Sequence, residues 1–332
     1  MARRANRPSL LESMGLLPFS ERMRQARIAL RGDDDVPKSR FDPSSLRLLS
    51  PRLALPLWLG YDAVPRRVVI TNLFNHTQTP VALGWSVRRT QVRDFRGKRQ
   101  TYDSHNGTDF CIARGTPVLA GASGHVVRVV SEFHRGGLKV AIDHGGGLIT
   151  SSAHLARALV REGQAVKRGE VIAISGYSGL DSLVSFPWGI PHIHYNVWLD
   201  GQPIDPFARE HGEIDGGARA EASLWVGGSA PIPMPTSVAP EESAWSEYDP
   251  ARVDEVIGSC ITPSVRARLQ AIAPLHLRGG QTIFESNYYP TRFPDRASTL
   301  REVHARAPRL HLPFSEEHFD GCVFRDELED VA

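Results

Sequence analysis

The chain has 332 residues with 41% hydrophobic and 23% charged residues, enough apolar material for a packed core and too much for a disordered or fibrous chain. Its net charge of +2 gives no electrostatic ground for a nucleic-acid partner. Three widely spaced cysteines, Cys111, Cys260 and Cys322, form no C-x-x-C pair and provide no disulfide framework.

In chain order, residues 1–63 read as an N-terminal arm, basic at Arg3, Arg4 and Arg7, with an amphipathic helix expected over 10–30. No uninterrupted apolar stretch precedes Glu12, so no secretory signal peptide is expected. The most apolar run, 53–60, contains Pro56 and is too short to span a bilayer, so it reads as a buried strand or core segment. Residues 64–100 form a β lead-in, with strands expected at 67–71 and 91–95 and a turn at Arg96-Gly97. From 101 to 210 short β-rich runs alternate with glycine turns, which predicts an antiparallel sheet or sandwich rather than βαβ units. Residues 211–245 read as a Gly/Pro/Ser-rich linker. Residues 246–332 read as a helical accessory region. Asp249-Pro250 and Thr262-Pro263 open its helices, the first through Val253, Val256 and Ile257, the second through Leu269 and Ile272. The fold class expected is therefore mainly β, with mixed α/β flanks.

Two patterns in the β-rich block carry chemistry. His105-Asn106-Gly107-Thr108-Asp109 is an H-x-G-x-D, and His192-Ile193-His194 is an H-x-H. Residues two apart on a strand point to one face, so His192 and His194 can share a cleft. Glycine between His105 and Asp109 lets the backbone bend so that these two converge. Two imidazoles and a carboxylate suit Zn²⁺ and leave a fourth position for water. Either pattern alone is equally compatible with histidines satisfied by ordinary hydrogen bonds.

Between the two patterns stand Gly124-His125-Val126-Val127, Asp143-His144-Gly145, Ala153-His154-Leu155, the run 163–172 and Ser175-Gly176-Tyr177-Ser178-Gly179, with Gly201-Gln202-Pro203-Ile204-Asp205-Pro206 after them. In this order, residues 101–207 closely resemble the lysostaphin-type (LytM-like) zinc endopeptidases, which cut peptide cross-links of bacterial peptidoglycan. The resemblance implies a duplicated hybrid-motif sheet over 101–210 holding one Zn²⁺. It implies His105, Asp109 and His194 as metal ligands and His154 and His192 as catalytic histidines. The implied activity is hydrolysis of a peptide bond by metal-activated water, with peptidoglycan or another peptide as partner. The alternative is a non-catalytic peptidoglycan-binding module or hydrolase activator on the same fold. The family acts in the envelope or outside the cell. With no signal peptide or transmembrane run, this chain reads as cytoplasmic unless it leaves by a route that needs neither.

Two departures stand out. The family's tyrosine two residues before the Ala-His-Leu histidine is Ser152 here, leaving Tyr102, Tyr177 or Tyr195 to replace it. The lead into H-x-H, 180–191, is long and carries Phe186 and Trp188, as a groove wall, a lid or an ordinary loop. His144 reads as structural and Cys111 as a small core residue. His76, His125, His134, His211, His276, His304, His311 and His318 lack ligand spacing and read as surface histidines. Trp225, Trp245, Tyr288 and Tyr289 read as interface aromatics or a carbohydrate platform.

Overall fold

A computed structural model describes residues 7–88, 92–207 and 222–330. The expectations for Arg3, Arg4, Gln91, His211 and residues 208–221 lie outside the described residues.

The N-terminal segment forms two helices rather than one, α1 (Leu10–Ser13) and α2 (Phe19–Arg31). Gly15 at φ +66° and Pro18 break the pattern between them. Residues 51–58 are a helix, α3 (Pro51–Trp58), not a strand. Leu53, Ala54, Leu57 and Trp58 recur at helical spacing and are buried together, so the core reading holds and the strand reading does not.

Strands β1 (Ser39–Arg40) and β3 (Trp85–Ser86) pair in parallel on either side of β2 (Arg67–Asn72) in the sequence. The expected strand at 91–95 is not found among its described residues. The Asp94 carboxylate instead accepts from the backbone N–H of Arg96 at 2.9 Å, Lys98 at 3.2 Å and Gln100 at 3.1 Å, which closes a turn.

The β-rich block supplies β4 (Thr108–Cys111), β5 (Pro117–Leu119), β6 (Gly124–Glu132), β7 (Gly137–Asp143), β8 (Leu148–Ala158), β9 (Ala165–Val166) and β10 (Val171–Ser175). A short helix, α4 (Leu180–Ser185), leads to β11 (His192–Leu199) and β12 (Gln202–Pro203). Beyond lie β13 (Pro233–Met234), α5 (Pro250–Ser259), α6 (Pro263–Gln270), α7 (Leu275–Tyr288), β14 (Leu312–Ser315) and β15 (Gly321–Phe324). Asp249 caps α5 by accepting from Ala251 N–H at 2.9 Å, as its Asp-Pro start predicts.

The main sheet has eleven strands, with β15-β2-β4-β11-β8-β7-β6-β9 as its longest path. Every neighbour on that path is antiparallel except β15 and β2. The fold is therefore a mostly antiparallel sheet with helical flanks, as expected. The C-terminal region is not helical throughout, since β14 and β15 follow its helices and β15 joins the sheet.

The core draws on both the block and its flanks. Phe110 on β4 meets Trp225 edge-on at 5.9 Å and Phe314 at 5.7 Å. Trp225 is fully buried, which leaves no carbohydrate platform there. The glycines of α7 allow close packing: a Cβ at Gly279 would fall into the Tyr248 ring, and one at Gly280 into Val127. Among the described residues no helix is long and apolar enough to cross a membrane.

Candidate active site

Strand β11 lies between β4 and β8, and its register sets His194 beside Asp109 on one side and Ala153 on the other. Strict alternation would turn His154, next after Ala153, to the opposite face. A register shift between β7 and β8 intervenes there, and His154 adopts φ +61°. Such a bulge re-aims a side chain, here into the same cavity as His192 and His194. This backbone conformation costs a non-glycine residue roughly 1–3 kcal/mol. It is held by His154 N–H donating to Gly136 O at 2.8 Å and by its Nδ1–H donating to Ser178 O at 2.7 Å.

Backbone carbonyls only accept, so they fix the histidine tautomers. His105 donates Nδ1–H to Leu73 O at 2.7 Å, and His192 donates Nδ1–H to Ile190 O at 2.7 Å. With His154 bonded likewise, all three present Nε2 lone pairs. His194 turns the other way: Nδ1 faces Asp109 Oδ1 at 2.9 Å, and Nε2 lies 3.2 Å from Asn106 Oδ1 and 3.1 Å from Asn196 Nδ2.

Three of these donors converge. Asp109 Oδ1 lies 3.0 Å from His105 Nε2 and 2.9 Å from His194 Nδ1, and the two nitrogens are 3.1 Å apart. Three ligand atoms about 2 Å from one tetrahedral ion sit roughly 3.3 Å from each other. Two lone pairs and a carboxylate oxygen this close repel unless a proton or cation lies among them. The donor set thus fits a divalent metal ion, and His105, Asp109 and His194 form a metal-binding group. His192 Nε2 stands 3.6 Å from Asp109 Oδ1, while the His154 ring centroid is 4.8 Å from that of His192 and 6.4 Å from that of His194. Burial pushes His194 down to about 4 and His154 well below the usual histidine range, so both rings stay neutral at pH 7.

A second layer orients the first. Asn72, at the end of β2, donates to Asp109 Oδ2 at 2.8 Å. Asn196 donates to Asn106 Oδ1 at 3.0 Å, and Tyr288 OH donates to Asn196 Oδ1 at 3.0 Å. A chain of hydrogen bonds therefore runs from α7 to the His194 ring. Asn196 could have been found from the sequence, since it follows His194 by two residues on one strand face. Asn72 and Tyr288 belong to no local pattern. Gly107 serves space rather than bending, because a Cβ there would lie 2.7 Å from Tyr195 O and 2.9 Å from His194 Nε2.

The site floors a cavity of about 460 Å³. Its wall includes Phe41, Leu46, Leu49 and Trp85, and α4 adds Asp181 and Val184. The 180–191 segment is thus a wall of this cavity. Phe186 packs edge-on against Trp58 at 5.2 Å, and Trp188 stays 45% exposed. Of the three tyrosines weighed against Ser152, Tyr177 stands nearest both catalytic candidates, 4.9 Å from His192 and 5.4 Å from His154 between ring centroids. Tyr102 lies against His105, and Tyr195 is packed in the core.

Outside the centre, His144 is buried, donating through Nδ1 to Ser123 O at 3.1 Å, and Cys111 is buried against Thr71. Several histidines expected at the surface are half-buried and partnered, among them His304 on Asp200 at 2.7 Å and His311 on Arg168 at 3.1 Å. His76 pairs with Asp205 at 3.0 Å, and His134 lines the cavity with Nε2 3.1 Å from Tyr289 OH. Trp245 stacks on His125 at 4.3 Å, and Tyr288 and Tyr289 are buried.

Fold and donor set together define a class, a β-sheet metalloprotein with an open His-Asp-His centre. The profile of the family described as Peptidase family M23 matches residues 103–206. An uncharacterized metalloprotease of Haemophilus influenzae is 38% identical over 102 residues, 31% of this chain and 20% of that protein. The peptidoglycan DD-endopeptidase ShyA of Vibrio cholerae is 38% identical over 101 residues, 30% of this chain and 22% of that protein. The catalytic domain of lysostaphin from Staphylococcus simulans is 30% identical, covering 29% of this chain and 67% of that domain, with a TM-score of 0.25. Residues 103–206 belong to the M23, lysostaphin-like metallopeptidase family. The match spans about a fifth of the length of the Haemophilus and Vibrio relatives.

Proposed function

We propose that the chain is a zinc-dependent endopeptidase that hydrolyses peptide bonds in the stems or cross-links of peptidoglycan, and so works in the cell envelope. One observation carries the reading: two histidines outside the metal-binding group, His154 and His192, stand beside it, each with Nδ1 held by a backbone carbonyl, and share its cavity. A purely structural metal site is closed and needs no such pair.

His105, Asp109 and His194 would hold the zinc. When bound, zinc brings the pKa of water to about 7 and polarises a carbonyl. The remaining work falls to this chain. His192 would take a proton at Nε2 from the attacking water and return it to the leaving amine. His154, rigid in its bulge, would share at Nε2 the proton that the water gives up, and so oppose the negative charge that develops on the carbonyl oxygen. Tyr177 packs against both rings and limits their rotation. Residues 7–88 and 222–330 would act as accessory parts that complete the cavity and the core.

The test is digestion of purified peptidoglycan by the zinc-loaded chain, with and without a chelator, read by mass spectrometry of the released fragments. Chelator-sensitive cuts within peptide stems or bridges are expected. Zinc bound with no cuts in any peptidoglycan would contradict the reading and favour the non-catalytic module.

A further inference from the structure

The cavity contains a cation that the reaction at the metal centre does not use. Arg135 lies in the turn between β6 and β7, and its guanidinium sits over the Trp85 ring. It is the only Arg or Lys among the described residues lining the cavity. Its Nε is fully buried with no hydrogen-bond partner among the described residues. No carboxylate among the described residues forms an ion pair with it, although Asp181 lines the same space. Burial pulls Arg135 down to about 10, so it remains charged at neutral pH.

Arg135 is half-buried, and a partly desolvated cation without a counter-ion is costly to the folded state. The neighbouring cations are spoken for: Lys139 is paired with Glu132 at 2.7 Å, and Arg292 with Asp35 at 3.0 Å. Trp85 partly compensates Arg135 by a cation–π contact, which also fixes the plane of the guanidinium. A fixed guanidinium fork is complementary to a planar carboxylate. A dianionic phosphate fits less well, because Asp109 and Asp181 face the same cavity.

We propose that Arg135 is a carboxylate-binding subsite, so that the peptide taken into this cavity carries a free carboxylate beside the bond to be cut. The proposal rests on the peptidase reading for the nature of the rest of the ligand, while the unpaired charge stands independently of it. Amidated peptides would cover the half-buried Arg135 without pairing it and would bind less tightly for that reason.

The test uses the full chain, zinc-loaded and zinc-free, with two probes. One is the N-acetylated stem peptide L-Ala–γ-D-Glu–L-Lys–D-Ala with free carboxylates. The other is the same peptide with both carboxylates amidated. Binding is measured by calorimetry and by tryptophan fluorescence. The acid is expected to bind roughly tenfold or more tighter than the amide in both metal states. R135Q should remove that preference. R135K, which keeps the charge and loses the fork, should retain only part of it and serves if R135Q does not fold. Equal binding of acid and amide to the unsubstituted chain would overturn the proposal, as would an undiminished preference in either variant. A preference in the zinc-loaded chain alone would also overturn it, by assigning the carboxylate to the metal. Failure of the peptidase reading is separable: peptidoglycan left uncut, with the preference intact in the zinc-free chain, removes the peptidase reading and leaves the subsite.

Discussion

Two sets of residues line the cavity. The floor is made by β4, β8 and β11, where His105 and Asp109 are each 1% exposed and every ring nitrogen not facing the cavity has a hydrogen-bond partner. The wall is made by irregular segments around β1, β3 and α4, where Phe41 is 47% exposed, Leu46 67% and Val184 59%. The difference separates chemistry from selection. A metal centre needs donors fixed to a few tenths of an ångström, which a sheet interior supplies. A substrate wall needs shape and a few charges, which loops supply and can vary. The floor lies within the residues shared with the M23 family, whereas most of the wall lies outside them.

The comparison can be broken most severely at the floor. H194A should reduce bound zinc to background and cleavage by at least about a thousandfold, read by metal analysis beside the digestion assay. Retention of full activity would remove His194 from the ligand set. H154A should keep zinc and lower kcat by roughly a hundredfold to ten-thousandfold. An unchanged kcat would remove His154 from the reaction. G107A forces a methyl group against Tyr195 O and His194, and should cost about 1–3 kcal/mol in a denaturant melt and weaken zinc retention. A melt and zinc affinity matching the parent would mean that the turn yields where the contacts show it tight.

The smallest effect sharpens the boundary between floor and flank. Y288F removes only the hydroxyl that donates to Asn196, on the path to His194. Zinc affinity should fall about tenfold, as for other changes behind a metal ligand, with little change in the melt. An unaltered affinity would show that α7 packs against the centre without orienting it.

How far the sequence could be read follows the same division. Asp109, His192 and His194 lie on strands whose period of two puts them on a shared face, and His105 and His154 sit in short motifs in the family order. Their convergence was legible for that reason. Tyr288 reaches Asn196 across 92 residues, Asn72 reaches Asp109 across 37, and Arg135 meets Trp85 by tertiary packing alone. No local pattern encodes such contacts. The helix at 51–58 was misjudged because Pro56 and an apolar run suggested a strand, although its buried residues recur at helical spacing. The place of the strand at 321–324 is set by parallel pairing with β2, more than 250 residues earlier, which no local pattern shows.

The most direct test of the metal centre is zinc-edge X-ray absorption on the full chain loaded with one equivalent of zinc. The account predicts a first shell of nitrogen and oxygen at about 2.0–2.2 Å, with the scattering of two imidazoles and a water among the ligands. That signal should be lost in both H194A and D109A. A sulfur shell at about 2.3 Å, or an unchanged spectrum in D109A, would contradict the assignment of His105, Asp109 and His194 as the ligands.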